Sequence, residues 1–234
     1  MYMELLKEME RLGYNSYMIE RAKERIIELQ KRGVQGVDKF VKKLRDRLNE
    51  KEDYLDILME GRFAIILARN KFSNIHIEYC QEGPDLKANW NRNTVYFEVT
   101  RKRPSEDDRI IQSSAAFVSP ATTENIIDKI RVKIPQLQTN GVNIVVIWSD
   151  TITLGKPELE KAFESIRDEI KETPEEYKKL SGVLLTNGGY NSGTLKQFYL
   201  FENDNASKPL SPRLTRKLNS LHEQNLEKLQ GYWE

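Results

Sequence analysis

Apolar residues recur along this chain with two periods, and the switch between them outlines its architecture. Met18, Ile19, Ala22, Ile26 and Leu29 form one helical stripe, with Ser16 as the expected N-cap and Gly33 as the stop. Val37, Phe40, Val41 and Leu44 form a second, opened by Gly36 and running through Asp46. Leu55, Leu58, Met59, Ile66 and Leu67 predict a longer helix from Glu52 to Phe72. The period then drops to two. Between Asn74 and Cys80, Ile75, Ile77 and Tyr79 oppose His76, Glu78 and Cys80. After the Gly83-Pro84 break, Asp85, Lys87 and Asn89 alternate with Leu86, Ala88 and Trp90. Thr94, Tyr96, Glu98 and Thr100 then alternate with Val95, Phe97 and Val99. A turn at Asn91-Arg92, either as two residues or as the centre of a four-residue loop, joins these arms into a hairpin.

Beyond Arg103 the chain reads as loop as far as Pro120, with a short helix near Ile110 to Ala116. Thr122 or Thr123 caps a helix reaching Gln138, whose core face is Ile126, Ile127, Ile130, Ile134 and Leu137. Lys129, Lys133 and Gln136 form a separate polar stripe, and Pro135 predicts a kink or an early end. The run Asn143 to Trp148 is almost wholly apolar and predicts a strand covered on both faces. Helices over Pro157 to Lys171 and Pro174 to Leu180, and strands over Gly182 to Thr186 and Gln197 to Phe201, follow. The loop from Asn187 to Gly193 has no phosphate-binding signature, and a final helix spans Pro212 to Leu229. The pattern predicts an α/β fold: a central mixed sheet with an αβββαβ core flanked by helices. Residues 1–52 read as a helical N-terminal extension, 53–210 as the main domain and 211–234 as a C-terminal helix.

Two features interrupt this apolar logic. Glu60 lies on a mostly apolar part of its helix, where a carboxylate must be paired, hydrated, bound to a metal or able to snorkel to water. In the hairpin, a turn centred on Asn91-Arg92 sets Asp85 opposite Glu98. Directly opposed side chains lie ~4.5–5.5 Å apart at Cβ, and like charges there repel. A divalent cation between them reverses that sign, so the hairpin suggests a metal site at one end.

Composition narrows the classes. The 234 residues suit one large domain or one domain with a helical extension. At 38% hydrophobic the chain can bury a core, while 31% charge and a mean hydropathy of −0.65 predict solubility. The net charge of +1 leaves nucleic acid open as a partner. The single cysteine, Cys80, excludes an internal disulfide and fits a reducing, cytoplasmic compartment. The first residues lack the pattern of a signal peptide, and no apolar run approaches the ~20 residues of a membrane span. His76 and His222 are the only histidines, and zinc spacings, GxSxG, GxGxxG and Walker sequences are absent. The charged N-terminal helices suit a layer packed on the main domain or on a second copy of the chain. The alternative is a DNA-facing arm using Lys39, Lys42, Lys43, Arg45 and Arg47. Trp90 at the hairpin tip suits either base stacking or cover for the sheet.

Pro84-Asp85 and Glu98-Val99-Thr100, with Glu60 on the preceding helix, fall in the element order helix, strand, hairpin, helix, apolar strand. Over about residues 53–148 the chain resembles the PD-(D/E)xK nuclease superfamily, the restriction-endonuclease-like fold. The resemblance implies an endonuclease, a phosphodiesterase acting on DNA with Mg²⁺ or Mn²⁺. Asp85 and Glu98 would hold the metal with the Val99 carbonyl, and Glu60 would act directly or through water. Hard oxygen ligands suit these ions. The lysine of the motif is replaced by Thr100. Lys102, Lys129 and Lys133 are the expected stand-ins, with Lys87 ranked after them. Thr100 also motivates an alternative: an inactive member of the fold that binds nucleic acid or serves in assembly. A third reading is an unrelated α/β scaffold whose acidic hairpin is ordinary surface.

Overall fold

The computed structural model describes residues 2–78, 83–103, 120–149, 156–187 and 198–222. The expected short helix at 110–116, Cys80 and most of the loop 187–193 lie outside them. The fold is α/β, with a six-stranded mixed sheet flanked by helices, seven of them among the described residues. In chain order these are α1 (Tyr2–Arg11), α2 (Ser16–Lys31), α3 (Val37–Asp46), α4 (Lys51–Arg69), β1 (Ser73–Ile77), β2 (Leu86–Trp90) and β3 (Asn93–Arg101). Then come α5 (Pro120–Lys133), β4 (Val142–Ser149), α6 (Lys156–Glu172), β5 (Gly182–Asn187), β6 (Phe198–Glu202) and α7 (Pro212–Asn219). The sheet order is β1-β2-β3-β4-β5-β6. β4 runs parallel to β3 and β5, whereas β1 with β2 and β5 with β6 are antiparallel pairs. The chain divides into two compact units, Met1–Thr94 with Leu221–Glu234, and Val95–Ser220.

In the first unit the helices follow their apolar stripes. α3 buries Val37, Phe40, Val41 and Leu44, as its spacing predicts. The cap of α2 is Asn15 rather than Ser16: the Asn15 carboxamide oxygen accepts from the Met18 N–H at 2.8 Å, so Ser16 becomes the first helical residue. The link between α2 and α3 is drawn onto β1. Gln35 donates its N–H to Ile75 at 2.9 Å and accepts from the Ile77 N–H at 3.0 Å. Gly36 follows with φ +80°, and a Cβ there would lie 2.0 Å from the Ile77 carbonyl oxygen. Only glycine can start α3 this close to the strand.

α4 runs Lys51–Arg69, one residue earlier than expected at its start and three short of Phe72 at its end. It is buried almost all round, from Tyr54 to Leu67, which makes it an internal helix rather than an amphipathic surface one. Gly61 lets α3 approach it, since a Cβ there would meet the Phe40 ring at 2.5 Å. Phe40 is itself fully buried and cannot yield freely. Gly61→Ala should therefore lose about 1–3 kcal/mol to overpacking and recover at most ~1 kcal/mol of helix propensity. A denaturant midpoint that falls at unchanged m would show this net loss, and an unchanged or higher midpoint would contradict it.

In the second unit β4 is buried from Asn143 to Trp148 and has parallel neighbours on both sides, as its unbroken apolar run predicts. α5 packs Ile126, Ile127 and Ile130 into a core shared with α6 and β5. It stops at Lys133, and Ile134–Gln136 continue as a single 3₁₀ turn because Pro135 has no N–H to donate. The expected helix at 174–180 is instead a series of turns. The buried Asn203 side chain donates to the Tyr177 and Leu180 carbonyls at 3.1 and 2.8 Å, so turn carbonyls there are held by a side chain. α7 ends at Asn219, with Ser220 as its C-cap, short of the expected Leu229; residues 223–229 lie outside the described residues.

Candidate metal centre

The hairpin turn is the two-residue Asn91-Arg92, with Asn91 at φ +54° in the left-handed region that such turns need. The Thr94 hydroxyl donates to the Asn89 carboxamide at 3.1 Å across this turn. Trp90 packs against Phe72 with ring centroids 5.4 Å apart.

β1 and β2 pair antiparallel with His76 opposite Lys87 and Ile77 opposite Leu86. One step further the Glu78 N–H donates to the Asp85 carbonyl at 2.7 Å. Glu78 takes φ +54°, an unusual backbone for a glutamate, just after the strand ends. This brings its side chain beside Asp85, and α4 supplies Glu60. Carboxylate oxygens of Glu60, Glu78 and Asp85 all lie within 4.8 Å of one another. Glu60 is only 5% exposed, so it does not snorkel to water.

A lysine fills the middle of this group. The Lys43 ammonium, from α3, donates to both Glu60 oxygens at 3.0 Å and to Glu78 Oε1 at 2.8 Å. Its distance to Asp85 Oδ1 is 3.6 Å. The arm of the helix considered for DNA thus points one of its cations inward. Arg45 and Arg47 are also paired within the first unit, with Glu4 and with Glu50 and Asp53.

Burial pushes the Glu60 carboxyl well above the usual carboxylate range; Asp85 adds to that, Lys43 opposes it, and Glu78 adds again. For Lys43 burial works downward, but Glu60, Asp85 and Glu78 together hold the ammonium above its ordinary range. The two directions are compatible. Three carboxylates around one ammonium carry an excess negative charge, which favours the charged form of Lys43 and, with burial, the neutral form of Glu60. The donor set of hard, charged oxygens suits Mg²⁺, Mn²⁺ or Ca²⁺.

Glu98 belongs to the second unit, fully buried on β3, where the Lys133 ammonium of α5 donates to its Oε1 at 2.6 Å. Lys133 also lies 3.5 Å from Gln136 Oε1. Of the expected stand-ins for the motif lysine, Lys133 is thus bonded to Glu98. Lys102 is 2% exposed just past the end of β3, its N–H donating to the Trp148 carbonyl at 2.7 Å. Lys129 is half-buried on α5, and Lys87 half-buried on β2. Thr100 and Val99 are buried on β3, where Val99 registers with Val146.

Glu78 and Lys43 are the members of the cluster that sequence reasoning did not select. Glu78 was legible as a polar residue on the His76 face, but its backbone turn was not. Lys43 read as one of several solvated lysines. No described helix is long and apolar enough to cross a membrane. A scan against protein-family models, a search of curated proteins and a search of solved structures found no match to this chain.

Proposed function

We propose that the protein is a metal-dependent nuclease that hydrolyses phosphodiester bonds in DNA. The observation that carries this reading is the convergence of Glu60, Glu78 and Asp85 on a single cation seat. Glu60 and Asp85 are two of the three acids that the sequence resemblance assigns to such an enzyme. Asp85 and Glu78, the less buried acids, would ligate Mg²⁺ or Mn²⁺, with Glu60 completing the set. When bound, the ion supplies Lewis-acid polarisation of the phosphate and acidifies a bound water. The reading carries a cytoplasmic location and DNA as partner, with a homodimer as its oligomeric option.

Incubation of the protein with single- and double-stranded DNA tests it. Cleavage is expected with Mg²⁺ or Mn²⁺ and should cease in EDTA. Cleavage that continues in EDTA, or none under any condition, ends the proposal. Lys43 favours a second reading, because its ammonium already neutralises part of the acidic group. In that case the fold is catalytically silent and acts as a nucleic-acid-binding or assembly module. The same assay would then give salt-sensitive binding without products.

A further inference from the structure

Three elements beside the acidic group, α3, β1 and β2, each carry a basic residue at a short offset from it. On α3, Lys39 stands four residues before Lys43, so the two lie ~5–6 Å apart on one helix face. On β1, His76 stands two residues before Glu78, and on β2, Lys87 stands two after Asp85. His76 and Lys87 are direct partners in the β1–β2 ladder, and the Glu78–Asp85 backbone bond continues that ladder. Opposed partners are ~4.5–5.5 Å apart at Cβ, and same-face neighbours along a strand ~7 Å apart. The start of α3 closes the group, since the Cβ position of Gly36 lies 2.9 Å from His76 Cδ2. A helix N-terminus adds partial positive charge there. Asp38, the acid of that first turn, is exposed and ~100° around the helix from Lys39.

We propose that Lys39, His76 and Lys87 form a phosphate seat beside the acidic group, which holds the backbone of a DNA strand next to the metal position. This rests on the nuclease reading for its purpose but not for its chemistry. The seat gathers basic groups on adjoining elements, and such a local cluster attracts an anion. The acidic group alone would repel a phosphodiester, and a cationic border on the same elements offsets that repulsion. Two ammonium groups and an imidazole donor suit the non-bridging oxygens of phosphate, without any reading of base sequence.

Fluorescence anisotropy of a fluorescein-labelled DNA 20-mer, single-stranded and duplex, tests the seat in EDTA across a NaCl series. The double variant Lys39→Gln/Lys87→Gln should lose at least ~10-fold in affinity, and its salt slope should fall by about 1.4–1.8, since each phosphate contact contributes ~0.7–0.9. Lys39→Gln alone, at an exposed position, should give about half of that slope change. A control of equal charge change, Lys7→Gln/Lys51→Gln, should stay within ~2-fold of the wild type. Equal losses in both doubles, unchanged binding in the first, or no binding by the wild type would overturn the seat. The outcomes separate the two proposals. Binding that depends on Lys39 and Lys87 without cleavage in Mg²⁺ keeps the seat and removes the nuclease. Cleavage with binding indifferent to both lysines removes the seat alone.

Discussion

Asp85→Asn is expected to lower metal-dependent cleavage by at least ~10³-fold while raising the melting temperature of the metal-free protein. The first effect follows from charge. An amide is a poor ligand for a hard divalent ion, and a 10³-fold loss corresponds to ~4 kcal/mol at the transition state. The second follows from the geometry of the acidic group. Asp85 lies 3.6 Å from the Lys43 ammonium, further than Glu60 or Glu78, and its charge helps to raise the pKa of the Glu60 carboxyl. Removing that charge relieves repulsion more than it weakens attraction. Single-turnover cleavage in Mg²⁺ and calorimetry in EDTA read the two effects. A variant that melts lower and cuts as before would mark Asp85 as a structural ion-pair partner with no part in catalysis.

Lys43→Met is expected to destabilise the metal-free protein by about 3 kcal/mol. Breaking a buried pair costs ~3–5 kcal/mol, and the lower end applies because the Lys43 side chain is 35% exposed. Three carboxylates then share a space 4.8 Å across with no cation. Mg²⁺ or Mn²⁺ should restore the loss, since a ligand present at 100 times its Kd contributes ~2.7 kcal/mol. The melting temperature of Lys43→Met should therefore rise with added Mg²⁺ far more than that of the wild type. An equal rise in both proteins would mean that the ammonium and the ion do not share a seat.

Glu60 gives this picture a pH signature. Its pKa is raised in the folded state, so the folded protein binds more protons than the unfolded chain. The Glu60 contribution is full below ~4.3, the unfolded value, and is lost as pH rises through the folded pKa. In EDTA, Glu60→Gln should remove that component, so the difference in stability between wild type and variant should move in the variant's favour with rising pH. A difference independent of pH would mean that Glu60 is ionised in both states.

The helices and strands were legible where side-chain periodicity dominates. The stripes of α2 and α3, the alternation on β2 and β3 and the apolar run of β4 all became the elements they predict. The misplacements have local causes that periodicity does not register. Asn15 displaced Ser16 as a cap because its side chain meets the Met18 N–H. Turns replaced the helix at 174–180, where Asn203, distant in sequence, holds turn carbonyls.

The site divides along the same line. Sequence alone determined an α/β order, a hairpin turning about Asn91-Arg92 and the selection of Glu60, Asp85 and Glu98 as acids worth explaining, because local alternation and an acid among apolar residues are read from neighbours. Only the tertiary structure decided which groups meet. Gly36 and Gly61, by omitting a Cβ, admit α3 to β1 and α4 closely enough for Lys43 to reach Glu60. A left-handed turn at Glu78 adds a third acid to the group. Lys133 on α5, 35 residues after Glu98, donates to that buried carboxylate. Those meetings depend on backbone approach distances and on residues far apart in the chain, and neither is encoded in any single window of sequence.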